Sequence, residues 1–331
     1  MTRSVNRSTG HGPCARAVLA AFAALAAATA TAQNYPTRPV RVVVPFTPGG
    51  STDIIGRVVA QKLGEAWGTQ VIVDNRPGAG GTIGVEIVAK SAPDGYTLLV
   101  GHIGTMAVNP SLYPKLAYDP LRDFVPISLA AYVHNMMAVH PSLPAKAVKD
   151  VIAIARAKPG ALNYGSGGSG SAAHLSVEYF KLAAKIDVQH IPYKGTAPML
   201  TDLIGGQLSL TITGVPPLLA QVKAGKLRGI AVAAARRLPL LPDLPTIAET
   251  VPGYESTQWY GILAPAGTPK EIVAKINADI ARGMKQPETA QRLSGEGADP
   301  FGGPSEQFGA HIKAEIERWG KVIRASGARP D

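Results

Sequence analysis

Apolar and polar positions along the chain switch period repeatedly, and each switch marks an element. The run "VRVVVPF" reads as a strand, a Gly-Gly turn follows, and Ile55, Val59, Leu63 and Trp67 then recur every four residues as one apolar stripe of a helix. "QVIVDN" predicts the next strand, "GTIGVEIVAKSA" the next helix and "YTLLVGH" a third strand, so a β-α-β-α-β series fits into about 70 residues. Beyond Asn109 the rhythm breaks at the proline-rich connector "PSLYPKLAYDPLRDFVP", and "ISLAAYVHNMMAVH" resumes as apolar extended chain. A second series follows. "VKDVIAIARAKPG" is a helix stopped by Pro-Gly, "ALNYG" a strand, Ala172, Leu175, Tyr179 and Leu182 a helical stripe, "VQHIPYK" a strand and "PMLTDLIGGQ" a helix. "LSLTIT", "PPLLAQVKAG" and "LRGIAVAA" continue it as strand, helix and strand, and the tail from Lys270 to Arg324 reads as helices. Strands alternating with helices predict an α/β fold with mostly parallel sheets.

The first residues do not read as fold. Arg3, Arg7 and Arg16 form a basic stretch, Ala17 to Ala30 an apolar one, and Ala30-Thr31-Ala32 a small-x-small site before Gln33, the pattern of a secretory signal over residues 1–32. The apolar run is shorter than the roughly 20 residues a membrane span needs. Cleavage after Ala32 leaves a formal charge of +7 and takes away Cys14, the chain's single cysteine. Disulfides, thiol catalysis and cysteine-bound metals are then excluded from the mature protein. The expectation is a soluble exported protein.

The residual positive charge is spread out. Its densest spots are Arg236-Arg237 and the trio Lys223, Lys226 and Arg228, with few aromatics interleaved, which is a mildly basic surface and no nucleic-acid interface.

Chemistry concentrates in glycine loops. In α/β sheets ligands sit where strands end and helices begin, because free N–H groups and the helix dipole favour an anion there and glycine lets the backbone approach it. "FTPGGSTD" places Gly49, Gly50, Ser51 and Thr52 in that position, "GSGGSGS" places Ser166, Gly168, Ser169 and Ser171 there, and "NRPGAGGTIG" supplies a third loop with Gly80. Any one loop is equally explained by tight turning and N-capping. Two of them in two halves suggest facing helix N-termini clamping a small anion across a crevice.

Other residues carry plain structural readings beside functional ones. Asp53 and Arg57 are spaced i,i+4 and suit a local pair, and Arg76 suits a pair with Asp74. His102 and His174 stand at a strand end and a helix start beside the presumed cleft, where either a structural or a ligand role fits. His134 and His140 flank the crossover without ligand-like spacing to an acid, and Trp259 and Tyr260 read as core. "GSGGSG", Gly165 to Gly170, matches a dinucleotide fingerprint, but the acid expected about 20 residues on is missing from the end of the next strand, since Asp187 precedes it. A secreted α/β enzyme binding a dinucleotide through this loop is the alternative function. No nucleophile elbow, Walker loop, zincin motif or glycosidase acid pair is present.

Taken together, "RPVRVVVPFTPGGSTDIIGRVVAQKL", "VIVDNRPGAGGTIGVEIVAKSAPDGYTLLVG", "NYGSGGSGSAAHLSVEYF", "HIPYKGTAPMLTDLIGGQ", "AGKLRGIAV", "LPDLPTIAE" and "WYGILAPAGTP" resemble the Bug-type substrate-binding proteins of tripartite tricarboxylate transporters, from about Tyr35 to the C-terminus. The resemblance implies a type II periplasmic-binding-protein fold, two α/β lobes with two crossovers and a ligand cleft between them. It implies a periplasmic monomer without cofactor, metal or catalysis, which captures a small carboxylate for a permease made of a large and a small subunit. The lobes would span 33–134 with 258–331, and 135–257. First-lobe ligand contacts would be Phe46, Thr47, Gly49, Gly50, Ser51, Thr52, Asp53, Gly80, Gly101 and His102. Those of the second lobe would be Ser166, Gly168, Ser169, Ser171, His174, Thr196 and Thr213. Such receptors often read Phe-Asp after the strand "LSLTIT", whereas Thr211-Ile212-Thr213-Gly214 stands here, so the far end of the ligand is left open.

Overall fold

The structure, a computed structural model, describes residues 35–326. The expected signal segment and Cys14 lie outside the described residues. Strand β1 (Val40–Val44) is flanked by β2 (Val71–Asn75) and β3 (Thr97–His102), both parallel to it. Helix α1 (Ser51–Trp67) joins β1 to β2, and α2 (Thr82–Ala89) joins β2 to β3. The α1 stripe behaves as its spacing predicts: Ile55, Val59 and Leu63 are fully buried against Val40, Val42 and Val44. Each such side chain contributes about 1.5–3 kcal/mol of burial. Gly68, at φ 61°, closes α1 with a left-handed cap that a side chain would disfavour.

The next element is α3 (Asn109–Leu112), reached through a π turn over Gly104–Val108, and then comes the long strand β4 (Phe124–Val139). The second lobe follows as α4 (Val148–Ala157), β5 (Asn163–Ser166), α5 (Ala172–Ala184), β6 (Gln189–Pro192), α6 (Thr196–Ile204), β7 (Leu210–Gly214), α7 (Val215–Lys223) and β8 (Arg228–Val232). The chain returns as β9 (Thr257–Pro265), α8 (Lys270–Met284), α9 (Pro287–Gly295), β10 (Ala298–Pro300) and α10 (Ser305–Ser326).

β4 is the spine of the molecule. Its first part, through His134, pairs with β9, and from Asn135 onward it pairs with β7 on one side and β8 on the other. The first lobe thus has the order β2-β1-β3-β9-β4 with β10 on the outer edge of β4, and the second lobe β6-β5-β7-β4-β8. Parallel pairing holds at the outer strands, but every pair made by β4 or β9 is antiparallel. The reason is the double crossover: β4 carries the chain out of the first lobe and β9 carries it back. The crossovers touch where Ala233 N–H donates to Asn135 O and Ser256 N–H to Ala233 O. Each lobe buries a core on both faces of its sheet. His134 finds a partner that sequence spacing does not show, as its Nε2 lies 2.9 Å from Asp299 across 165 positions.

Candidate functional site

Between the lobes lies a small cavity of about 20 Å³. Its lining comes from the first turns of helices: Ser51 and Thr52 open α1, Ser171, Ala172 and Ala173 open α5, and Thr196 opens α6, while Thr213 stands just before α7. Gly50, Gly195 and Gly214 are the N-caps of α1, α6 and α7, and none of these helices has a side-chain cap. Ahead of the first intrahelical bond of α1, from Ile54 N–H to Gly50 O, the N–H groups of Ser51, Thr52 and Asp53 have no partner within the helix. Helix dipoles and amide donors thus converge on a space whose lining contains no Lys, Arg, Asp or Glu.

Of the residues singled out from sequence, Phe46, Ser51, Thr52, His102, Ser171, Thr196 and Thr213 line this cavity. Others shape its walls. Asp53 is buried and accepts from Gly49 N–H at 3.0 Å, Arg57 Nε at 2.9 Å and Asn75 Nδ2 at 3.0 Å. Burial alone would raise its carboxyl, but those hydrogen bonds and the Arg57 charge outweigh burial and hold it below the usual aspartate value. Ser166 bonds Gly168 O and His190, and His174 accepts from Gly170 N–H and packs on His190. Gly101 sits inside β3 against Leu263 and Met106. Gly80, Gly168 and Ser169 line a separate groove at the cleft mouth with Tyr113 and Lys194.

Sequence reasoning missed Ala172, Ala173, Gln258 and Tyr260. The signal for the last two was available: Gln258 is a polar residue in an apolar strand, and the period-2 alternation puts it on one face with Tyr260.

The walls meet through glycines. A Cβ on Gly195 would fall onto Thr47, 2.9 Å from both its Cβ and its N, and one on Gly50 would fall 3.0 Å from Thr196 Oγ1. Cβ atoms on Gly80, Gly104 and Gly214 would strike Ser169 O, Gly170 O and Ser51 Oγ. Tyr113 hydroxyl donates to Ser169 O at 2.9 Å across the same seam. The lobes are closed on one another along this seam.

His102 is the cavity's one imidazole. Its Nδ1 accepts from Thr105 N–H at 3.0 Å, so the proton of the neutral ring sits on Nε2. Burial pushes its pKa from 6.5 down to about 4. The unfolded chain therefore takes up a proton that the native ring refuses. The stability involved is complete above pH 6.5, and acidification to about pH 4 removes on the order of 3 kcal/mol of it. Denaturant titrations between neutral pH and about pH 4 should show a shallower acid decline for His102→Gln, and equal slopes would contradict the assignment.

Two α/β lobes joined by two crossover strands around a cleft define a solute-binding protein. The chain belongs to the tripartite tricarboxylate transporter family of receptors, whose model matches residues 55–328. It is similar to BugT of Bordetella pertussis, 37% identical over 317 residues that span 95% of this chain and 97% of that protein. Solved structures agree: an R. palustris protein with adipate is 43% identical with a TM-score of 0.87 over 90% of this chain and all of that one. MatC of Rhodopseudomonas palustris with bound malate is 34% identical, TM-score 0.83, over 87% of this chain and all of its own. The family is one of binding proteins, so the chain is a receptor and not an enzyme, and the dinucleotide reading of Gly165 to Gly170 falls.

Proposed function

We propose that this protein is exported to the periplasm by a cleavable signal at residues 1–32, captures one small carboxylate between its lobes, and presents it as a monomer to a permease with a large and a small subunit. The lobes comprise 33–134 with 258–331, and 135–257. The observation that carries the reading is the convergence of the α1, α5 and α6 amino-termini on a cavity without a charged side chain. Each helix terminus favours an anion by roughly 0.3–2 kcal/mol, and several acting together suffice without an arginine. Relatives solved with adipate and malate support a carboxylate as the ligand class.

Within this reading the first-lobe contacts are Phe46, Ser51, Thr52 and His102, and those of the second lobe are Ser171, Thr196 and Thr213, with the remaining predicted residues shaping the loops. A thermal-shift screen of carboxylates against the mature chain is the test. A cognate acid at about 100 times its Kd should stabilise the fold by about 2.7 kcal/mol. A screen in which amines or sugars shift the transition and no carboxylate does would overturn the proposal.

A further inference from the structure

Two first-lobe oxygens meet the second lobe in a way that disfavours the closed shape. Thr47 Oγ1 and Asn109 Oδ1 are both buried without a hydrogen-bond partner. Each is pressed on a glycine across the seam: a Cβ on Gly195 would strike Thr47 Oγ1, and one on Gly170 would strike Asn109 Oδ1. What points at each oxygen is therefore a Cα hydrogen, a weak substitute for the donors that water offers. The orientation of Asn109 is fixed by its other neighbour. Gly80 O can only accept, so the Asn109 NH₂ faces it at 3.3 Å and Oδ1 is left to face Gly170, whose own N–H is committed to His174 Nδ1 at 3.2 Å. Both Asn109 Nδ2 contacts, to Gly80 O and to the Tyr118 hydroxyl, stay within the first lobe and do not depend on where the second lobe sits. The mismatch at Asn109 Oδ1 and Thr47 Oγ1 exists only while the lobes touch.

We infer that Thr47 and Asn109 set the affinity of this receptor from outside the ligand cavity: closure strips water from their oxygens and offers glycine carbons in return, so closing is unfavourable until a ligand bridges the lobes. The inference rests on the carboxylate-receptor reading. Neither residue lines the cavity, and Thr47, expected from the family resemblance to touch the ligand, is reassigned to the seam. The Tyr113 hydroxyl bond to Ser169 O, at 2.9 Å, works in the opposite direction, as a bond gained when the lobes meet. Apparent affinity scales with the fraction of molecules that reach the closed state. Removing an orphaned oxygen should therefore tighten binding, whereas ordinary damage to a binding protein weakens it.

Calorimetry of the mature chain with straight-chain dicarboxylates from ethanedioate to octanedioate, and with their hydroxy derivatives, tests this, using for every variant the acid that wild type binds most tightly. Thr47→Ala removes the hydroxyl and Thr47→Ser keeps it, and the alanine variant should bind at least about fivefold more tightly than the serine one. Asn109→Ala should bind at least about fivefold more tightly than wild type, even though losing the Nδ2 contacts lowers its melting temperature. The double alanine variant should combine the two gains, and Tyr113→Phe should weaken binding about threefold or more. Small-angle scattering of the ligand-free wild type should show a particle more extended than the closed structure. A ligand-free wild type that already scatters as the closed structure, or alanine variants that bind no more tightly than their references, overturns the inference and leaves the receptor reading standing. Binding lost in Thr47→Ala and kept in Thr47→Ser would put the hydroxyl on the ligand and overturn it as well. Failure of every acid to bind wild type overturns the receptor reading and this inference with it.

Discussion

Gly195→Ala is expected to lower ligand affinity at least about tenfold, and Gly195→Val about a hundredfold, with little change in the stability of either lobe. Gly195 sits at φ 162°, extended backbone open to any residue, so the substitution adds no backbone strain. What it adds is a Cβ 2.9 Å from Thr47 N and Thr47 Cβ, atoms of the opposite lobe. Closure must then stop short, and apparent affinity falls by the fraction of molecules that still reach the closed state. Gly168 is a poorer probe, since φ 107° would strain any side chain there whatever the lobes do. Arg57→Ala and Lys194→Ala are the matching charge deletions. Arg57 is half exposed and turned to Asp53 and Asn75, and Lys194 lies at the cleft mouth, so each should cost less than the glycine change. Calorimetry with the tightest-binding carboxylate decides it: wild-type affinity in Gly195→Ala, with binding lost in the two charge deletions, would mean a cationic pocket and no role for the glycine seam.

Much of this architecture is legible in the chain because periodicity encodes it. The Ile55, Val59, Leu63 stripe and the valines of β1 announce a helix on a sheet, and the glycine loops announce where helices begin. The local pairs read from spacing are present, Asp53 with Arg57 at 2.9 Å and Asp74 with Arg76 at 3.0 Å. What spacing cannot carry is long-range closure. Tyr260 looks like core because its neighbours are apolar, and it is buried, yet the double crossover brings it beside Ser51 and makes it a wall of the cavity. Ala172 and Ala173 have no functional group to notice; they matter for being small and for exposing backbone at a helix start. The His134–Asp299 pair likewise exists only because β10 returns to β4.

Asp53 offers the second large effect, and its three partners set the outcome. Gly49 N–H, Arg57 and Asn75 Nδ2 all donate to it, so only a carboxylate, with acceptor sites on both oxygens, can satisfy them. Asp53→Asn replaces one oxygen with an NH₂ that must face a donor. It should therefore be nearly as harmful as Asp53→Ala, each losing about 2 kcal/mol or more of stability. The exposed guanidinium of Arg57 can turn to water, which keeps the loss below that of a fully buried pair. Affinity should fall as well, because Asn75 Nδ2 also holds Phe46 O at 3.0 Å and the loop it steadies carries Phe46 into the cavity. The native carboxyl is held below its usual value, so its contribution is complete above the ordinary aspartate range and is lost as pH falls through the lower native value. Denaturant titrations at neutral pH should separate wild type from both variants, and the gap should close in strong acid. An Asp53→Asn protein as stable as wild type at neutral pH would show that the loop is held by packing, with no need for the carboxylate.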